Sequence, residues 1–347
     1  MRAKLEDVCV RGSSSLKQSD VIDKTGEYPI YGAAGYIGNV DFYHQDQPYI
    51  AVVKDGAGIG RTSLYPAKSS VIGTMQYLLP KENVLPEYLC YVVKYMHLEK
   101  YFTGATIPHI YFKDYKKEEF NLDILDRQKE IVNILGRIEC VISSRQQELQ
   151  KLDELIKARF VELFGDPINN PKGWEVVTIG DIVTEVKYGT SKPAVEGGKY
   201  PYLRMNNLTS DGHLDLNDLK YIDISEDEIE KCVVRKGDVL FNRTNSIELV
   251  GKTAVFDLPD DMVIAGYIIR VRLNERMLPE VLSQYMNLAA LKDILRSMAK
   301  GAVNQANINA QELQSIKVYI PDMGLQKKFI EMKEQVDKSK VVVSNIS

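Results

Sequence analysis

Apolar residues between Gln128 and Leu163 recur at alternating steps of three and four residues, or at multiples of these steps. This spacing is typical of the narrow seam of a coiled-coil helix rather than the broad apolar face of a globular one. The segment contains no proline, and its one glycine is Gly136. The seam positions are Ile131, Leu135, Ile138, Ile142, Leu149, Leu152, Ile156 and Leu163. At about 1.5 Å per residue, the pattern predicts a helical rod of about 54 Å, which must separate two parts of the chain.

The chain before the rod has a different pattern, with short runs of valine, isoleucine and tyrosine between glycines. Residues 36–43 and 49–53 are examples. Such runs predict short twisted strands joined by tight loops. Pro86 is expected to open a helix over residues 86–102, since proline suits the first helical turn. A further strand is expected near residues 120–124, just before the rod.

The same plan starts again after the rod. Pro279 opens a predicted helix as Pro86 does, and Asp181 corresponds to Asp7 in an early polar segment. The offset between the halves grows from 174 at the aspartates to 193 at the prolines. The extra length of the second half is therefore expected mainly in residues 208–235. The chain contains an internal repeat.

Each repeat is predicted to be one domain followed by one long helix, and Gln326 opens the second long helix as Gln128 opens the first. A chain that runs domain, rod, domain, rod makes the helices antiparallel if the domains lie at opposite ends. The predicted fold is α/β (α+β), with two repeated domains, each a small twisted mixed sheet with helices, separated by two long antiparallel coiled-coil helices. The predicted segments are 1–125, 126–165, 172–322 and 323–347. The positions expected to pair the helices are Ile138, Ile142, Leu149, Leu152, Phe329, Met332 and Val336.

Composition and charge limit the function classes. The chain has no apolar stretch of signal-peptide length at its start and no apolar run of membrane-spanning length, so we expect a cytoplasmic protein without membrane contact. Its four cysteines form no CxxC pair and are expected to be reduced thiols. The net charge of −4 means that binding to a polyanion would need local basic loops or a basic partner.

Several stretches together resemble a known family. They are LFGDP and NPKGW after the central helix, KGDVLFNRTNS, the loop KGA-NQANINAQEL, and IP-Q before the final helix. In this order and in a duplicated chain, they resemble the specificity subunit of type I restriction–modification enzymes. The resemblance covers essentially the whole chain. Residues 326–347 make the final helix shorter than the central one, so this helix is either short by nature or truncated relative to the family.

The resemblance implies a function and partners. The two domains would be target recognition domains, each reading one half of a split, asymmetric sequence in double-stranded DNA. The helices would dock two adenine-N6 methyltransferase (M) subunits, and restriction/translocase (R) subunits would join that complex. The chain itself would be non-catalytic and need no cofactor. Corresponding stretches of the two halves differ in sequence: the first half has IYGAAGYIGNVDFY and the second has PYLRMNNL. The two domains are therefore expected to read different half-sites.

Candidate DNA-binding residues follow from the chemistry of base edges. Arginine can pair with guanine, and asparagine or glutamine with adenine. In the first domain the candidates are Lys54, Arg61, His109, Tyr111 and Lys113. In the second domain they are Arg204, Asn206, Asn207, Asn242, Arg243, Thr244, Asn245, Asn304, Gln305 and Asn307. Asparagine also favours ordinary turns, so the duplicated placement supports the loops more than any single residue. Base and phosphate contacts stay open alternatives.

Enzymatic alternatives find weak support. Residues 56–60 lack the third glycine of a dinucleotide-binding loop, because Arg61 stands there. Residues 251–253 read GKT, but Ser246 stands where a phosphate-binding loop needs its first glycine. The histidines have no metal-ligand spacing, so no metal site is predicted. The remaining alternatives are a duplicated scaffold whose loops bind protein and a free-standing nuclease.

Overall fold

The chain forms two compact units. The computed structural model describes residues 1–21, 23–104, 107–302 and 305–345. The units are Met1–Ile142 and Ser143–Ser347, and the division falls inside the long central helix. The predicted segment 126–165 is therefore shared by both units, and the bounds of the four segments stay a prediction.

The first unit mixes short strands and helices. In chain order its elements are β1 (Arg2–Lys4), α1 (Leu5–Val8), β2 (Cys9–Ser13), β3 (Tyr28–Gly32), β4 (Gly35–Val40), β5 (Tyr49–Val53), β6 (Thr62–Tyr65), β7 (Ser70–Val71), β8 (Met75–Pro80), α2 (Pro86–Tyr95), α3 (Phe112–Tyr115), β9 (Glu119–Asn121) and α4 (Leu125–Phe164). Short 3-10 helices lie at Gln18–Asp20 and Leu98–Tyr101. The helix predicted over residues 86–102 ends early, because His97 adopts a left-handed backbone (φ 51°) that an α-helix cannot include.

Three small sheets organise the first unit. The strand orders are β2-β8-β5-β6, β4-β3-β7 and β1-β9. All neighbours are antiparallel except β3 and β7, which are parallel. The five residues of β5 are all buried, as expected of a strand covered on both faces. The strand predicted over residues 49–53 is thus confirmed, and it lies inside the largest sheet.

The core of the first unit lies between this sheet and α2. Ile50 and Leu78 from the strands pack in one cluster with Leu89 and Val93 from the helix. Pro86 occupies the first turn of α2, where its missing N–H leaves no helical hydrogen bond unmade. Each such fully buried aliphatic side chain contributes about 1.5–3 kcal/mol to stability.

The second unit contains the end of α4 and a second set of elements. In chain order these are β10 (Glu175–Thr178), β11 (Val183–Tyr188), β12 (Tyr200–Leu203), β13 (Lys220–Ile222), α5 (Glu226–Cys232), β14 (Val233–Val234), β15 (Val239–Asn242), β16 (Thr244–Asn245), β17 (Thr253–Val255), β18 (Met262–Ile264), β19 (Ile268–Leu273), α6 (Pro279–Met286), α7 (Ala289–Met298), β20 (Lys300–Ala302), β21 (Gln305–Asn307), α8 (Ala310–Gln314), β22 (Lys317–Ile320) and α9 (Met323–Asn345). Two 3-10 helices lie at Ile179–Ile182 and Met205–Asn207.

The sheets of the second unit repeat those of the first. The order β11-β19-β15-β17 corresponds to β2-β8-β5-β6, and β13-β12-β18 corresponds to β4-β3-β7. The inner pairs β12–β18 and β3–β7 are both parallel, and β10–β22 matches β1–β9. The predicted repeat and the mixed α/β fold class are confirmed. The added segment 208–235 carries α5 and β14, which extends the β13-β12-β18 sheet.

A buried glutamine opens the long helix of each repeat. The side chain of Gln128 accepts a hydrogen bond from the Leu85 backbone N–H (2.8 Å) and donates to the carbonyls of Asn83 and Asp123. Gln326 likewise accepts from Leu278 N–H (2.9 Å) and donates to two carbonyls. Both glutamines are fully buried. The same residue type therefore ties the helix start to the domain in each repeat.

The end of α4 packs against α9 in the second unit. The Phe329 ring lies 5.2 Å from that of Phe160 and 5.6 Å from that of Phe164. Lys340, further along α9, forms a 2.5 Å ion pair with Asp153 of α4. From the first contact to the second, the residue numbers rise in α9 and fall in α4, so the two helical segments are antiparallel.

The predicted pairing positions have different outcomes. Val336 is buried, and Leu152 and Met332 pack against the same cluster as Phe329. Leu149 is half-buried. The side chains of Ile138 and Ile142 are 49% and 47% exposed, so the prediction that they pack against the final helix is wrong. Ile138 and Ile142 belong to the first unit, whereas α9 belongs to the second.

None of the helices in the described part of the chain combines the length and the apolar character that crossing a membrane requires.

Candidate nucleic-acid interface

Each unit places two loops side by side at one end of its main sheet. In the first unit they are residues 53–61 and 107–113, which we call the first tip. In the second unit they are residues 242–252 and 305–308, which we call the second tip. Both tips begin where a buried central strand, β5 or β15, ends. The tips contain most of the candidate DNA-binding residues.

The backbone hydrogen bonds of the two tips correspond. Val53 N–H donates to the carbonyl of Arg61 (2.9 Å), as Asn242 N–H donates to that of Lys252 (2.8 Å). These bonds close a loop of different length in each repeat. Arg61 and Lys252 therefore occupy equivalent positions, each directly after a glycine with positive φ.

A second pair of bonds joins the two loops of each tip. Ile110 N–H donates to the carbonyl of Lys54 (2.9 Å), and Ile308 N–H donates to that of Arg243 (2.9 Å). Lys54 and Arg243 are therefore equivalent as well. Each tip presents one cation at the same backbone position.

The cations that follow the glycines anchor neighbouring turns. The guanidinium of Arg61 donates to the carbonyl of Ala33 (3.0 Å), and the ammonium of Lys252 donates to the carbonyls of Met205 (2.9 Å) and Leu208. Lys252 is buried, and this burial lowers the pKa of its amine. Arg61, expected to contact DNA, thus already holds a turn through one of its donors, although it remains exposed.

An ionic network occupies the centre of the first tip. The carboxylate of Asp55 lies 2.7 Å from the Nδ1 atom of His109 and 2.8 Å from the ammonium of Lys54. Burial opposes ionisation of Asp55, but the hydrogen bonds from Lys54 and His109 outweigh it and lower the pKa of this carboxyl. Tyr111, half-exposed, lies beside the His109 ring and has the Lys113 ammonium 5.2 Å from its own ring centre.

Neutral side chains occupy the centre of the second tip. Asn242 is fully buried and donates to the carbonyls of Thr244 and Tyr267 (3.1 Å each), while its oxygen accepts from Asn245 (2.8 Å). The Thr244 hydroxyl donates to the side-chain oxygen of Asn307 (2.9 Å). These four candidates use their polar groups on one another. The prediction that Asn242 and Thr244 face DNA is corrected, because both are buried and hold the tip together.

The turn after β12 contains one more structural asparagine. Asn207 is buried, and its side chain accepts from Arg204 N–H (2.8 Å) and donates to the carbonyl of Asp215 (2.8 Å). It is therefore a turn residue rather than the predicted DNA contact. Arg204 forms a 2.7 Å ion pair with Asp218. Asn206 between them is exposed.

A cavity of about 580 Å³ opens between this turn and the second tip. Its lining includes Arg204, Asn206 and Arg243, which were candidates, and Tyr267 and Thr190, which were not. The sequence offered no signal for the cavity, because its walls come from strands and loops far apart in the chain. Gln305 is exposed on the neighbouring strand, and Asn304 lies outside the described residues.

Arg243 is the least committed of the candidates in the second tip. The carbon of its guanidinium lies 4.9 Å from the centre of the Tyr188 ring, a cation–π distance. Its Nε donor is buried and has no hydrogen-bond partner. Tyr188 was missed from the sequence, although its place at the end of β11 could have marked it as a stacking residue.

The middle of α4 carries an exposed apolar seam, defined by Ile134, Ile138, Val141 and Ile142. Each side chain is about half exposed. The spacing of four and three residues places Ile134, Ile138 and Val141 on one stripe, with Ile142 beside it. Contiguous apolar surface of this kind marks an interaction site in soluble proteins.

The described residues include no group of three or more histidine, cysteine, aspartate or glutamate side chains arranged to hold a metal ion. Glu185 pairs with Arg270 (2.6 Å) and Arg272 (3.0 Å). These contacts assign Glu185 to a structural ion network.

Comparisons with known proteins agree with this architecture. A family model described as the type I restriction modification DNA specificity domain matches residues 1–154 and 171–343. The putative type I restriction enzyme MjaX specificity subunit of Methanocaldococcus jannaschii is 30% identical over 171 residues, which cover 48% of this chain and 40% of the relative. The EcoKI specificity subunit of Escherichia coli K12 is 24% identical over 249 residues, or 67% of this chain and 53% of the relative. The chain thus spans about half the length of these relatives.

Two solved structures share the fold. The S subunit of a type I restriction–modification system from M. genitalium has a TM-score of 0.62 and 15% identity, over 99% of this chain and 91% of that one. A chain from a structure describing the assembly and conformational transition of the type I system has a TM-score of 0.54 and 16% identity, over 100% of this chain and 93% of that one. The matched domains cover both repeats, and the chain belongs to the type I restriction–modification DNA specificity family.

Proposed function

We propose that this chain is the specificity subunit of a type I restriction–modification complex and binds a bipartite, asymmetric target in double-stranded DNA. The first tip reads one half-site and the second tip reads the other, with an unread spacer between them. The chain performs no chemistry itself. The observation that carries this proposal is the pair of tips, which have matching backbone hydrogen bonds and different side chains at equivalent positions.

The different tip chemistry supports two different half-sites. A DNA reader needs a fixed backbone frame, so that side chains meet base edges in register, and variable side chains, so that the sequence can differ. Lys54 with its Asp55 partner stands where Arg243 stands without an ion pair in the described structure. Different donors and acceptors at one backbone position select different bases.

The exposed seam of α4 supports docking of the methyltransferase partner. Exposure of the apolar seam to water is unfavourable. A partner helix with matching spacing would bury the side chains of Ile134, Ile138, Val141 and Ile142. One neighbour in fold comes from a structure that describes complex assembly of a type I system, which supports a partner-binding role for this chain. We assign this seam to methyltransferase subunits, two per complex, with the R subunits joining through that complex.

The partner also supplies affinity for the DNA backbone. Phosphate contacts by lysine and arginine provide most non-specific binding to DNA. This chain has 44 basic and 48 acidic residues, with a net charge of −4, so its own contribution is limited to local sites such as the tips. Sequence choice would come from this chain and much of the phosphate affinity from the methyltransferase.

A gel-shift assay with the reconstituted methyltransferase complex tests the proposal. We expect one duplex containing a bipartite target to bind more tightly than duplexes with either half-site scrambled. Equal affinity for all duplexes would instead support a scaffold role. The variant Ile138→Asp should abolish assembly with the methyltransferase, whereas Ser144→Asp, on an exposed polar position of the same helix, should leave assembly intact.

A further inference from the structure

Arg243 is held in place by contacts that leave its Nε donor without a hydrogen-bond partner in the described residues. Its guanidinium lies over the Tyr188 ring at 4.9 Å, and its backbone is fixed by hydrogen bonds to Tyr267 and Ile308. The ring restricts the plane of the guanidinium. The fork of N–H groups is therefore oriented before any ligand arrives.

The described residues around Arg243 offer its Nε donor no acceptor. The Nε donor is buried without a hydrogen-bond partner. The oxygen of Asn242 accepts from Asn245, and that of Asn307 accepts from Thr244. A buried donor without a partner costs free energy, which an incoming acceptor can recover. None of the described residues supplies this acceptor, which leaves the position open to a ligand.

The position of Arg243 favours a planar ligand edge. It lines the cavity of about 580 Å³ together with Asn206 and Tyr267, so a group can approach it from solvent. Arg204, the second arginine of the cavity, also has an unpartnered buried Nε, but its Nη2 already donates to the carbonyl and the carboxylate of Asp218, so its fork is partly occupied. An oriented guanidinium matches two acceptors side by side, and in the major groove only guanine presents this pair, through N7 and O6.

We infer that Arg243 selects a guanine in the half-site read by the second repeat. This inference rests on the proposed function and deepens it by naming the base and the residue. Lys54 at the equivalent position of the first tip lacks a fork and is paired with Asp55, so it does not make the same selection. The guanine requirement belongs to one half-site only.

Sequencing of methylated bases in DNA tests the inference. Cells would express the methyltransferase partner with the wild-type chain or with Arg243→Ala, Arg243→Lys or Arg235→Ala. Arg235 is a half-exposed arginine of the same repeat, already ion-paired with Glu230 and Asp261, and serves as the matched control. Co-purification of each variant with the methyltransferase checks that it folds and assembles.

The expected result is specific to one position. The wild-type motif contains a guanine that becomes degenerate in Arg243→Ala, with discrimination at that base falling about 10- to 100-fold. Arg243→Lys does not restore the choice, because an ammonium lacks the fork. Arg235→Ala keeps the wild-type motif. The other half-site is unchanged in every variant.

Other outcomes overturn the inference in distinguishable ways. If Arg243→Ala lowers methylation at all sites without changing the motif, and lysine restores it, Arg243 binds phosphate. If no guanine occurs in the affected half-site, the base assignment is wrong, although the proposed function stands. If the wild-type complex yields no sequence motif at all, the proposed function itself fails.

Discussion

The two tips share a pattern of backbone hydrogen bonds but differ in the side chains at the centre, which are ionisable in the first tip and neutral in the second. A cross-strand pair joins the two loops in each: Asp55 with His109 in the first tip and Thr244 with Asn307 in the second, at 2.7 and 2.9 Å. The first pair carries ionisable groups, and the second is neutral. Duplication has therefore kept the link between the loops while its chemistry changed. Structural linkage and sequence choice are separate properties of these loops.

The anchors behind the tips show the same conservation of role. Arg61 and Lys252 differ in type, and one is exposed while the other is buried, yet both donate to a carbonyl of the turn that packs beside the tip. The helix-opening glutamines, Gln128 and Gln326, are identical in type, and both bind one backbone N–H and two backbone carbonyls. The similarity of the repeats increases from the tips towards the long helices.

Substitution of the helix-opening glutamines should give the largest losses of stability, and the losses in the two repeats should be similar. In Gln128→Ala and Gln326→Ala, one buried N–H and two carbonyls lose their partner. Each substitution should therefore lower the free energy of unfolding by about 2–4 kcal/mol, at about 1–3 kcal/mol for each unpaired group, with partial relaxation. Chemical denaturation measures both.

Gln147→Ala, at an exposed position of α4, serves as the control and should change stability by less than about 0.5 kcal/mol. A large loss in only one of the two glutamine variants would contradict the equivalence of the repeats at the helix starts.

Transplanting the cross-strand pair should have a smaller effect on stability. The double variant Asp55→Thr with His109→Asn gives the first tip the pair of the second. We expect the single substitutions to cost about 1–2 kcal/mol each, because each leaves a partner unpaired, and the double variant to recover about 1 kcal/mol of this loss. A double-mutant cycle measured by denaturation provides the coupling energy.

Strict additivity in this cycle would show that the two pairs are not equivalent. The transplant also separates linkage from sequence choice, since a stable double variant should alter only the half-site of the first repeat.

The second repeat contains an ionic contact for which the first has no matching segment. His213, in the added segment, lies 3.1 Å from Asp211 and 3.9 Å from Asp337 of α9, which also pairs with Lys333 and Lys340. The carboxylate of Asp211, and then that of Asp337, favours the charged imidazole and raises the pKa of His213 to about 9. Since this pKa is raised above the ordinary value, the contact stabilises fully below about pH 6.5 and is lost as the pH rises through about 9.

The expected contribution is small. The His213 side chain is 41% exposed, so solvent screening limits the effect to about 1 kcal/mol. Unfolding of the wild type between pH 6.5 and 9.5 should show this loss, and His213→Gln should reduce it. The same pH dependence in both proteins would assign it to other groups.

Sequence reasoning predicted the features that depend on local pattern. The seam of α4, the buried strand over residues 49–53 and the match of Gln128 with Gln326 follow from periodicity and offset. The prediction that Ile138 packs against the final helix was wrong because an apolar seam indicates that a helix has a partner but does not identify the partner.

The details of the tips could not be predicted in this way. The side-chain amide of Asn242 donates to the carbonyl of Tyr267, which the fold brings from a distant part of the chain. The amino-acid sequence around Asn242 cannot distinguish a hydrogen bond to Tyr267 from a hydrogen bond to a base edge. The sequence groups Arg243 with its neighbours in the chain. The three-dimensional contacts separate them, because the side-chain oxygens of Asn242 and Asn307 accept hydrogen bonds, whereas the Nε of Arg243 has no partner among the described residues.

The central claim is that each repeat reads one half of the target. The most direct test exchanges residues 1–125 for the first domain of another family member and sequences the methylated sites in cells that carry the methyltransferase partner. We expect one half of the motif to change and the other half to stay identical. A motif that changes in both halves, or in neither, would contradict the division between the repeats.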